Sequence, residues 1–132
     1  ENIKHEIIEN GQFTTEGGVG IEGCGEKHWE MYHTVAPVQN TGYLIAGSFY
    51  HPGDGFFVPK KKVEILALPV AGPWATLSEC IDFALKVKPE ICFPIHEGML
   101  KFLGPVHRVP EQVLISKEIK FIVIQDNQTI EV

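Results

Sequence analysis

The clearest pattern of apolar and polar positions lies between Val63 and Ile95. Val63-Glu64-Ile65-Leu66-Ala67-Leu68 is almost wholly apolar and ends at Pro69, as expected of a strand buried on both faces. Thr76-Leu77-Ser78-Glu79 then has the form of a capping box, with Thr76 accepting from the Glu79 amide and Glu79 reaching back. Leu77, Ile81, Ala84 and Leu85 follow at helical spacing, and Pro89 stops the helix after Lys88. Ile91-Cys92-Phe93-Pro94-Ile95 is a second short apolar strand. The whole unit has about the minimum crossover length for two parallel strands.

Upstream, glycines at 17, 18, 20, 23 and 25 punctuate a region of strand and turn. Ile3 to Glu9 and Val19 to Cys24 alternate loosely as strands, separated by Asn10-Gly11 and Gly17-Gly18. Tyr43 to Tyr50 reads as one strand closed by the turn His51-Pro52-Gly53-Asp54-Gly55. Downstream, the pattern predicts a short helix from Pro110 to Ser116. A terminal hairpin follows, made of Ile119 to Ile124, a turn at Asp126-Asn127, and Thr129 to Val132. The fold class is therefore α/β, a mixed sheet with flanking helices in one domain over residues 1–132.

Composition narrows the function. A chain of 132 residues with 44% hydrophobic content can bury one core, and no apolar window approaches the length a membrane helix needs. A net charge of −6 works against nucleic acid as a partner; Lys60, Lys61 and Lys62 read as a solvated loop before a buried strand. Cys24, Cys80 and Cys92 form no CxxC pair, which fits a reducing, cytoplasmic setting and core positions for Cys80 and Cys92.

Candidate chemistry sits at the carboxyl ends of strands, where open α/β sheets present functional side chains. Asp54 follows the strand ending near Tyr50, and His96 follows the strand ending at Ile95. A carboxylate and a neutral imidazole suit a zinc-type ion. Each residue taken alone also has a plainer reading, Asp54 as a turn residue bonding its own backbone and His96 as a capped histidine.

Four stretches change that balance: Asn40-Thr41-Gly42-Tyr43-Leu44-Ile45, His51-Pro52-Gly53-Asp54, Leu68-Pro69-Val70-Ala71-Gly72-Pro73-Trp74 and Phe93-Pro94-Ile95-His96. In order and spacing they resemble the later motifs of metallo-β-lactamase-fold, Zn-dependent hydrolases. The resemblance is closest to a broad bacterial branch of that superfamily. It implies the C-terminal part of an αββα sandwich and a small-molecule substrate. It also implies a divalent metal, zinc foremost, with one or two ions in the full-length form. Carried over residue by residue, Asp54 is the shared carboxylate ligand and His96 the last histidine ligand. His28 takes the place of an earlier histidine ligand, with His33 as its rival.

The family's first motif, His-X-His-X-Asp-His, does not occur in these 132 residues. A hydrolase whose remaining ligands lie elsewhere is one expectation; a non-catalytic half-fold module that self-associates or binds a partner is the other. The resemblance implies one half of a two-sheet sandwich, whose apolar strands Val63 to Leu68 and Ile119 to Ile124 would be left uncovered; a homo-oligomer is the expected cover, with N-terminal strands folding back over the face as the alternative. His51 reads first as an exposed turn residue and otherwise as lining the rim of the site, and Trp74 and Phe83 read as core aromatics, with Pro73-Trp74 bordering the pocket.

Overall fold

A computed structural model describes residues 5–125 and 127–131. Seven strands form one sheet in chain order: β1 (Phe13–Glu16), β2 (Val19–Cys24), β3 (Gly42–Ile45), β4 (Phe49–His51), β5 (Ile65–Pro69), β6 (Ile91–Ile95) and β7 (Lys120–Phe121). β1 to β4 pair antiparallel, and β4 to β7 pair parallel. Helix α1 (Leu77–Val87) connects β5 to β6, and α2 (Gly104–Ile115) connects β6 to β7. Both crossovers step the same way along the sheet and such crossovers share one hand, so the two helices lie on one face, where they touch.

The β5–α1–β6 unit forms as its sequence pattern predicts. Thr76 accepts from the Glu79 amide at 3.3 Å, and the Glu79 carboxylate accepts from the Thr76 amide and from the Thr76 hydroxyl, each at 2.8 Å, two bonds that hold that carboxyl below its ordinary range. Lys88 ends the helix in the left-handed conformation with φ 55°. The covered face is Leu44, Tyr50, Leu66, Leu68 and Cys92, packed under Ile81, Phe83, Ala84 and Leu114. Burial pushes the Cys80 thiol up to about 11 and the Cys92 thiol up to about 12, so both remain neutral and fill the core.

Several expectations are corrected. Tyr43 to Tyr50 is not one strand. Ala46 and Gly47 both have positive φ, 52° and 74°, and turn the chain into the β3–β4 hairpin, in the pairing that primed two-residue turns favour. No strand occurs over residues 5–9; β1 begins at Phe13 instead, because β2 finds its partner across the Gly17-Gly18 turn. Residues 1–4 of that expected strand lie outside the described residues. The second helix starts at Gly104 and carries Pro110 within it. The expected terminal hairpin does not form among the described residues: β7 pairs parallel with β6, while Asp126 and Val132 lie outside the description.

The second sheet face is also apolar. Residues alternating with the core set, Phe49, Ile65, Ile91 and Phe93, line a groove of about 200 Å³ on the side away from the helices. Ile122, Ile124 and Ile130 line it too, so the tail after β7 shelters part of this face instead of extending the sheet. Val63, Leu66, Leu68 and Ile119, expected on the uncovered side, are buried in the core.

Candidate metal centre

The three sequence-predicted residues arrive from three loops. His28 follows β2, Asp54 lies in the turn after β4, and His96 is the first residue after β6. The structure brings them together. Asp54 Oδ1 lies 3.0 Å from His96 Nε2, and Asp54 Oδ2 lies 3.7 Å from His28 Nε2. His33 is elsewhere, on the exposed turn at residues 32–35 with its ring 4.2 Å from that of Tyr32.

Backbone hydrogen bonds fix the loops. Trp29 N–H donates to the Asp54 carbonyl at 2.8 Å and His28 N–H to the Val38 carbonyl at 3.0 Å, so the His28 segment is tied directly to the Asp54 turn. His28 Nδ1 is 2.6 Å from the Trp29 carbonyl. That acceptor requires the proton on Nδ1 and leaves Nε2 as the free lone pair, the arrangement that orients metal-binding histidines. His96 has φ 68°, a left-handed backbone that is uncommon outside glycine and costs on the order of 1 kcal/mol. The strain turns its ring off the strand end toward Asp54.

Trp74, 8% exposed, stands against both imidazoles. Its ring centroid is 5.5 Å from that of His28 and 5.9 Å from that of His96, edge to face in each case. Phe56 joins Trp74 at 5.5 Å to Phe83 at 4.9 Å, so the wall of the site is continuous with the core. Trp74 is a buried core aromatic, as expected, and meets the site through its edge-to-face contacts with the two imidazoles. His51 differs from its reading as an exposed turn residue: it is half-buried at the end of β4. Burial first, then the neighbouring charge of His96, lowers its pKa. The adjacent Pro52-Gly53 concealed this, because the turn starts one residue later than the composition suggests. His107 Nε2 lies 2.9 Å from Glu97 Oε2.

The donor chemistry fits a divalent ion. Asp54 Oδ1 is buried and has no hydrogen-bond partner; its 3.0 Å approach to His96 lies outside hydrogen-bond geometry. The Nε2 lone pair of His28 faces the other oxygen of the same carboxylate. Lone pair against carboxylate is repulsive, and a proton or a cation between them removes the repulsion. The cluster is nevertheless partial. Among the described residues, no three His, Cys, Asp or Glu side chains are close enough together to enclose an ion as they stand. Beside His28 a cleft of about 830 Å³ opens, lined among others by Trp29, Phe56, Phe57 and Glu79.

A mixed sheet backed by two helices, with two imidazoles and a carboxylate meeting at strand ends, defines an α/β fold that gathers candidate metal donors at one sheet edge. The chain belongs to the family described as beta-lactamase superfamily domain, which it matches over residues 2–96. Two solved structures share the fold. One is Igni18, a metallo hydrolase from the archaeon Ignicoccus hospitalis, with TM-score 0.65, 20% identity, and 92% of this chain and 58% of that one covered. The other, from Thermotoga maritima, is assigned to the Zn-dependent hydrolases of the metallo-β-lactamase superfamily. It has TM-score 0.56, 18% identity, and 89% and 71% of the two chains covered.

Among curated proteins, Rv0786c of Mycobacterium tuberculosis is 33% identical over 85 residues, covering 61% of this chain and 40% of that protein. A UPF0173 protein of Pyrococcus furiosus is 28% identical over 106 residues, covering 74% and 48%. The chain thus spans about half the length, or less, of the curated relatives it matches. Among the described residues, no helix is long and apolar enough to cross a membrane.

Proposed function

We propose that this chain supplies His28, Asp54 and His96 as ligands of a divalent ion, zinc foremost, in a metal-dependent hydrolase acting on a small-molecule substrate. One observation carries the reading: a carboxylate with one oxygen turned toward each of two imidazoles, the inner oxygen buried without a hydrogen bond. A carboxylate so placed suits sharing between two ions. Bound there, a divalent ion supplies Lewis acidity and activates water near neutral pH.

The chain's own groups do the orienting. The Trp29 carbonyl holds the proton of His28 on Nδ1, and Trp74 packs edge to face against both imidazoles. The cleft beside His28 is the place for substrate. On this reading the three residues are part of a ligand set, and the His-X-His-X-Asp-His motif does not occur in these 132 residues. The buried free cysteines support a cytoplasmic setting.

Calorimetric titration of the chain with Zn²⁺ tests the ligand set. His28→Ala, Asp54→Ala and His96→Ala should each weaken binding by at least about tenfold, and His33→Ala should not. Binding unchanged in Asp54→Ala would sink the assignment.

A second reading is favoured by the open apolar face at Phe49, Ile65, Ile91 and Phe93: a homo-oligomeric module in which a second copy covers the part that the tail leaves free. Sedimentation equilibrium at micromolar concentration decides this. A monomer with a cooperative unfolding transition, unchanged by Phe93→Lys, rules it out.

A further inference from the structure

The turn that carries Asp54 is gripped by a side chain that is not itself a ligand. Asn40 precedes β3, and its amide inserts into the turn after β4. Asn40 Oδ1 accepts the Asp54 N–H at 2.9 Å, and Asn40 Nδ2 donates to the Pro52 carbonyl at 2.9 Å. One planar amide therefore closes both ends of the Pro52-Gly53-Asp54 segment. The two glycines flanking Asp54 make room for it. A Cβ at Gly53 would lie 2.3 Å from Asn40 Oδ1, and one at Gly55 would lie 2.8 Å from Asn40 Nδ2. Gly53 also has φ 65°, so its lack of a side chain is required twice over.

The same residue reaches the other arm of the site. Asn40 N–H donates to the Glu26 carbonyl at 3.2 Å, two residues before His28. Asn40 thus binds the turn bearing the carboxylate through its side chain and the loop bearing His28 through its backbone. The remaining link between the two, Trp29 N–H to the Asp54 carbonyl, completes a closed ring of hydrogen bonds around them. A ligand loop fixed in this way needs no reordering when an ion arrives, and outer partners of this kind tune affinity.

We propose that Asn40 is a positioning residue of the metal centre, acting by accepting the Asp54 amide through Oδ1 and thereby setting where the Asp54 carboxylate stands. The inference rests on the ligand reading above. Its test therefore compares the wild-type chain, Asp54→Ala and variants of Asn40, using Zn²⁺ calorimetry together with the visible absorption of added Co²⁺.

Asn40→Ala, and the milder Asn40→Ser should Asn40→Ala not fold, should lower Zn²⁺ affinity by about 10- to 100-fold. Both should change the Co²⁺ absorption bands and speed hydrogen exchange of the Asp54 amide. Asn40→Asp keeps an oxygen for that amide but sets its other oxygen against the Pro52 carbonyl, so it should recover affinity in part, to a level clearly above that of Asn40→Ser. In the Asp54→Ala background, Asn40→Ser should have no further effect on whatever binding remains.

Wild-type affinity and Co²⁺ bands in Asn40→Ser, accompanied only by a lower melting temperature, would make Asn40 a structural residue and overturn the proposal. Equal loss in Asn40→Asp and Asn40→Ser would also overturn it. If Asp54→Ala binds Zn²⁺ as the wild type does, the ligand reading itself falls, and the role of Asn40 toward the ion falls with it.

Discussion

Replacing Trp74 separates the packing of the site from its chemistry. The indole is 8% exposed and touches Phe56, His28 and His96. The backbone at Gly72 lies so close that a Cβ there would be 2.7 Å from the ring, which leaves little capacity for collapse after truncation. Trp74→Ala should therefore fall in the full range for a buried aromatic, about 3 to 5 kcal/mol, a large share of the roughly 5 to 15 kcal/mol that stabilises a domain of this size. Trp74→Phe keeps most of the volume and should cost about 1 to 2 kcal/mol. Urea unfolding followed by far-ultraviolet circular dichroism gives both values with a shared slope, while Trp29 remains as a fluorescent probe. Zn²⁺ affinity should drop in both variants, because each loses edge-to-face contacts that hold the two imidazoles. A cost below about 1 kcal/mol for Trp74→Ala would refute the argument that this ring joins the site to the core.

Three further outcomes follow from the structure. Thr76→Ala removes the side-chain half of the α1 capping box and should lower stability by about 1 kcal/mol, a few degrees in thermal unfolding. His51 is held with a lowered pKa, so the unfolded chain takes up its proton first as pH falls below the ordinary 6.5. The stability it contributes is complete above that value and is lost as pH descends to its folded pKa; His51→Gln should flatten urea stability between pH 7 and 5 relative to wild type. The 132 residues alone should not turn over ester or phosphodiester substrates with added Zn²⁺, since an underligated ion leaves water poorly placed; turnover abolished by Asp54→Asn would show the chain to be sufficient by itself.

How much of this was legible in the sequence depended on how local the cause was. The β5–α1–β6 unit was readable because its signals are contiguous: an apolar run, a capping box and a proline stop. The β3–β4 turn was not, since Ala46 adopts a positive φ that its side chain does not advertise and Gly47 stands alone in an apolar run. The last strand misled because Ile122, Ile124 and Ile130 suit a hairpin as well as they suit a tail lying on an apolar face. Among candidate site residues, His28, Asp54 and His96 came from motif resemblance, and the structure places their side chains near one another. Asn40 stood inside a quoted motif without an assigned role, because its contacts cross 12 and 14 residues and no spacing rule reports them. His51 was misplaced by one residue of strand.

The strand order has a kinetic meaning. Each strand pairs with the strand next to it in the chain, from β1 through β7, so no pairing waits for a distant segment to be made or found. Each closure spans a single connection between successive strands, the longest being the β5–α1–β6 and β6–α2–β7 crossovers, and closure entropy grows only slowly with that length. The sheet can grow one strand at a time as the polypeptide emerges from the ribosome, with α1 and α2 docking as their flanking strands arrive. Refolding from denaturant should accordingly be faster than for a mixed sheet with a shuffled strand order, and the two ends of the sheet should be the first parts to exchange amide hydrogens.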